Sequence, residues 1–116
     1  MTAIPTDLLD AYETTTLEFY GGFEPGERPA YVITGARPYG EPLTPSRNQQ
    51  LHEALFHYLR GHSLVPWLVG ATAADGTVED CWAVHCDIET ACLIGRVFHQ
   101  HAIFEVTAAG KRLVEC

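Results

Sequence analysis

The sequence predicts one α+β domain, with an antiparallel or mixed sheet of four to six strands and two or three helices packed on it. Three observations lead there. At 116 residues the chain has the length of one domain, enough to bury roughly two-thirds of the surface its unfolded form exposes. Segments of strand and helix period alternate along it in the order αββαββαββ. Short Gly and Pro clusters separate them, with no repeat, low-complexity tract or interdomain linker.

Residues 6–14 (TDLLDAYET) read as a short helix with Thr6 or Asp7 as cap. Leu17–Tyr20 is a short strand, and Gly21–Pro29 is a loop rich in Gly and Pro. Residues 1–29 thus form an acidic lead-in to a core spanning 30–116. Ala30–Gly35 alternates as a strand, and the loop ARPYGEPL follows it. The clearest helix comes next, with Thr44 as cap and Pro45 in the first position. Leu51, Ala54, Leu55, Tyr58 and Leu59 make its apolar stripe, with His52 and His57 among the polar residues mainly off it, and Gly61 stops it.

Residues 63–73 and 77–86 form a hairpin around Ala74-Asp75-Gly76. The first arm is apolar on both faces, as in a central strand. Asp87 caps a second helix running to about Phe98, with Ile88, Ala91, Cys92, Gly95 and Phe98 as its stripe. Ala102–Thr107 and Arg112–Val114 complete the sheet.

The net charge is −8, and its distribution is uneven. Neither the first 27 residues nor the stretch between Arg60 and Arg96 contains a Lys or Arg, while both are rich in Asp and Glu. Such surfaces repel phosphate, which argues against direct nucleic-acid binding and for either a solvated acidic face or a protein partner with a basic face. The stretch MTAIPTDLLDAYE lacks the basic start and apolar run of a secretory signal, and nothing approaches the run of about 18 apolar residues that a membrane span needs. The four cysteines include no CxxC pair. The expectation is a cytoplasmic protein with reduced thiols, no membrane association, Cys86 and Cys92 on core faces, and a mobile Cys116.

From about Tyr31 to Val114 the chain resembles a bacterial domain-of-unknown-function family, number 3293. Two blocks carry the resemblance, ITGARPYGEPLTPSRNQQL and IGRVFHQHAIFEV, followed by a closing G-x-x-LV. The family's blocks typically read TAxNPxSxxLSxxxN and LGRxFGQNAI. Pro38, Leu43, Asn48, Gly95, Arg96, Phe98, Gln100, Ala102 and Ile103 match them. Arg37 stands for the usual Asn, Gly40 for Ser, Leu51 for a frequent Arg, and His99 and His101 for Gly and Asn. The resemblance implies a shared fold and no activity.

Arg37, Asn48, Arg96 and Gln100 are the candidate binding residues, because they supply donors of the kind that grip a carboxylate, phosphate or backbone. Each also has a structural explanation: a helix-end charge for Arg96, a local backbone contact for Asn48, and a loop contact for Gln100. His99-x-His101 on a strand would place two imidazoles on one face, and His85 or Asp87 could complete a metal site. Cys81 and His85 share a strand face as a conceivable thiol–imidazole pair. Glu79 and Asp80, beside the hairpin turn, read as solvated. No P-loop, GxGxxG, GxSxG or HExxH motif is present, so no cofactor is expected. The expectation is a non-enzymatic interaction module, an inhibitor or regulator of a basic partner. The alternative is a small enzyme or ligand-binding protein with its site around Arg37 and Arg96.

Overall fold

The computed structural model describes residues 13–36 and 42–116. Six strands and two helices follow in order: β1 (Thr16–Phe19), β2 (Ala30–Ile33), α1 (Pro45–Gly61), β3 (Trp67–Thr72), β4 (Val78–Val84), α2 (Ile88–Val97), β5 (Ala102–Thr107) and β6 (Gly110–Glu115). The sheet order is β1-β3-β4-β2-β5-β6, antiparallel at every pairing. The α+β prediction therefore holds, with the sheet fully antiparallel. The helix predicted over 6–14 falls almost wholly outside the described residues.

Strand alternation divides the side chains between two cores. Tyr31, Ile33 and Val84 face the helices and pack with Leu55 and Leu59 of α1 and Ala91 and Ile94 of α2. Small residues fill the other face: Ala30, Val32, Val69, Ala71, Cys81 and Ala83, closed over by Phe23 from the β1–β2 loop. The sheet curls around this face, and Lys111 Nζ donates across to Glu13 O at 3.3 Å, linking the two edges. On the helix side Tyr31, Glu105 and Arg112 lie in register across β2, β5 and β6. Glu105 accepts from the Tyr31 hydroxyl at 2.9 Å and from Arg112 Nη2 at 3.0 Å. Arg112 first, then Tyr31, holds the Glu105 carboxyl below its usual range, while burial and Glu105 push Tyr31 up to about 12.

The caps are those predicted. Thr44 accepts from Arg47 N, and Asp87 accepts from Thr90 N at 2.7 Å. The hairpin turn closes through Gly76, with φ +88°, and Asp75 accepts from Thr77 N at 2.9 Å. Both helical stripes are rotated from prediction. In α1 the buried residues are His52, Leu55 and Leu59, while Ala54 is exposed. In α2 they are Ala91, Ile94 and Gly95, and Ile88 is 38 % exposed.

Two thiol expectations are corrected. Cys92 and Cys116 form a disulfide with Cα atoms 5.1 Å apart, so neither is a reduced thiol and Cys116 is anchored. The physical reason is Gly95: a Cβ there would lie 3.1 Å from Ile103 Cγ2, so its absence lets α2 settle close on the β5–β6 pair. Cys81 and Cys86 are free.

Candidate functional site

Thr44 and Pro45 start α1 beside the loop that leaves β2, and the hairpin turn delivers the start of β4 to the same place. Between them lies a cleft of about 370 Å³, lined by Asn48, Gln49 and His52 from α1 and by Thr77, Glu79 and Asp80 from the hairpin. It continues along α1 into a shallower hollow of about 470 Å³, where Glu53, Phe56, Leu68 and Trp82 join Gln49, His52 and Asp80. The result is one groove that carries the carboxylates of Asp80 and Glu53, with an aromatic flank and no Lys or Arg among its described lining residues.

His52 sits at the middle of that groove. Its ring stacks on Trp82 with centroids 4.4 Å apart and planes within 7°. Trp82 Nε1 in turn donates to His52 O at 3.0 Å. The stack buries the imidazole to 7 % exposure and leaves Nδ1 without a hydrogen-bond partner among the described residues. Burial favours the neutral ring and lowers its pKa, against a smaller pull upward from Asp80 and Glu53. On the hairpin side Glu79 is half-buried and accepts from Thr34 Oγ1 at 2.8 Å, while Asp80 is exposed. Glu18 continues the acidic strip, because it pairs with Gly70, which pairs with Asp80.

A larger, more open hollow of about 780 Å³ lies between β1 and the β5–β6 turn. Its charged lining residues are Glu13, Glu24 and Lys111, two acids and a base set around Leu17, Phe19 and Val106. That mixture selects no particular ligand.

Three of the four predicted binding residues lie among the described residues. Arg37 lies outside the described residues. Asn48 is half-buried in the cleft, with Nδ2 donating to Leu43 O at 3.4 Å. Gln100 is buried, and its Nε2 donates to Ala36 O and Phe98 O, both at 3.1 Å. Arg96 is exposed in the last turn of α2, where its cation complements the helix dipole.

His99 and His101 precede β5, which starts at Ala102, so they do not share a strand face. Among the described residues no three His, Cys, Asp or Glu gather as a metal site. Burial drives the Cys81 thiol pKa far up, away from the thiolate that a nucleophile needs. His85 is engaged through Nδ1 with Pro29 O at 3.1 Å. Sequence reasoning missed His52 and the groove it anchors. The available signal was the i, i+4, i+7 spacing of Asn48, His52 and Leu55.

The two motif blocks now acquire physical content. Thr44 caps α1, and Asn48 ties its first turn to Leu43. Gly95 permits helix–sheet contact, and Phe98 packs edge-on against Tyr58. Gln100 then braces the second block against the first at Ala36. His99 has φ 57°, the left-handed conformation that the family's usual Gly adopts without cost. No helix among the described residues is long and apolar enough to cross a membrane. No curated protein and no solved structure matches the chain. Residues 33–103, more than half the chain, match the family model described as protein of unknown function (DUF3293), and the chain belongs to that family.

Proposed function

We propose that the protein is a non-enzymatic binding module that takes a basic segment of a protein partner in the groove between α1 and β4, as an inhibitor or regulator of that partner. One observation supports this most: the groove presents Glu53 and Asp80 beside Trp82 and Phe56, with no Lys or Arg among its described lining residues. Carboxylates attract Lys and Arg side chains, and aromatic rings cover their methylene stems. The net charge of −8 adds long-range steering toward a basic surface.

The test is a titration with an arginine-rich peptide followed by amide chemical shifts. Shifts should cluster on α1 and β4, and the doubly neutralised variant Glu53→Gln/Asp80→Asn should bind about tenfold more weakly, or about 1.4 kcal/mol. Its stability should stay within about 0.5 kcal/mol of the parent. Affinity should fall as salt rises. Shifts centred on Arg96 would move the site to the end of α2, and an affinity indifferent to salt would remove the charge argument.

A further inference from the structure

The disulfide joins two elements that the sheet pairing leaves otherwise independent. Cys92 sits midway along α2, and Cys116 directly follows β6. β6 is an edge strand, paired along one side with β5. Past Glu115 the chain is held by the Cys116 N to His101 O hydrogen bond, at 3.1 Å, by the packing of Cys116 on the helix-side core and by the disulfide. Both sulfur-bearing residues are half-buried, so a small external thiol can approach them. Gly95 lies one turn beyond Cys92 on the same helical face, and a Cβ there would stand 3.9 Å from Cys116 Sγ. The close seat of α2 is therefore what brings the two cysteines within bonding reach.

We propose that Cys92–Cys116 is a reversible thiol–disulfide latch that fastens the outer end of β6 to α2 and releases it on reduction. The reductant is a dithiol. One of its thiolates attacks a sulfur of the bond, forming a mixed disulfide, and the other cysteine leaves as a thiolate and takes a proton. The second thiol of the reductant then attacks the mixed disulfide, freeing the remaining cysteine. Two electrons and two protons reach the protein, and the reductant leaves as its own disulfide. Internal reshuffling does not compete. Cys81 is fully enclosed in the opposite core, and burial pushes the Cys86 thiol up to about 11, so it stays protonated at neutral pH.

The experiment uses the full chain, air-oxidised and dithiothreitol-reduced, read by alkylation mass and by amide hydrogen exchange. Unfolded in denaturant, the oxidised form should alkylate at Cys81 and Cys86 alone and the reduced form at all four. Exchange at residues 111–116 should quicken at least tenfold on reduction, with α1 and the β3–β4 hairpin unchanged, and reoxidation should restore it. Cys92→Ser and Cys116→Ser should match the reduced form and ignore dithiothreitol. Four alkylated thiols after oxidation would overturn the proposal, as would equal exchange in the two states. Uniform loss of protection on reduction would overturn it too, since the bond would then be a staple for the whole domain.

Discussion

Two amides flank the loop between β2 and α1, and their surroundings differ. At one end Gln100 is buried and gives its Nε2 hydrogens to the carbonyls of Ala36 and Phe98. At the other end Asn48 touches Leu43 O at a long 3.4 Å and lines an open cleft. From sequence the two side chains look alike as binding residues. The structure makes one a brace and leaves the other where a ligand can reach it. Residue type sets what a group can donate, and burial sets whether a partner from outside can receive it.

That contrast is open to test, and the largest expected effect is at the brace. Gln100→Ala strips one buried and one half-buried carbonyl of their donor and should cost roughly 1–3 kcal/mol, read as a lower urea midpoint. Peptide affinity for the groove should not change. Asn48→Ala should do less, about 0.5–1 kcal/mol, since Asn48 is half-buried on the cleft wall, where water can replace what its side chain loses. A larger cost at Asn48 than at Gln100 would invert the comparison.

A pH effect should separate the two ends next. The folded state holds the His52 pKa below its ordinary 6.5, so the unfolded chain binds the proton first. Stability from this group is fully present above pH 6.5 and is lost as pH falls through the folded value. Urea unfolding from pH 8 down to pH 5 should show that loss, and His52→Phe should remove it. If the slope survives in His52→Phe, it arises elsewhere. The smallest effect concerns His99, whose φ of 57° suits Gly. His99→Gly should raise the melting temperature slightly, by up to about 1 kcal/mol of relieved backbone strain. A fall would mean that the imidazole's contacts outweigh the strain.

The fold was more legible than the site. Thr44-Pro45 and Asp87 are local helix-start signals, and Asp75-Gly76 is a local turn signal; all three hold because their physics involves a few neighbouring residues. His52 was misplaced on the polar side of α1, because its burial depends on Trp82, a residue 30 positions away. The same distance effect hid the disulfide. Cys92 and Cys116 are 24 residues apart, and their meeting depends on how closely Gly95 lets a helix approach a strand.

Sequence alone determined the α+β class, the helix starts, the hairpin and the acidic surface, since each follows from composition, period or short-range hydrogen bonding. Tertiary structure alone decided which polar groups are enclosed and which line a cleft, that a Trp–His stack backs an acidic groove, and that one thiol pair is joined. Those outcomes depend on which faces pack together and how closely, and the spacing of residues along the chain does not encode that.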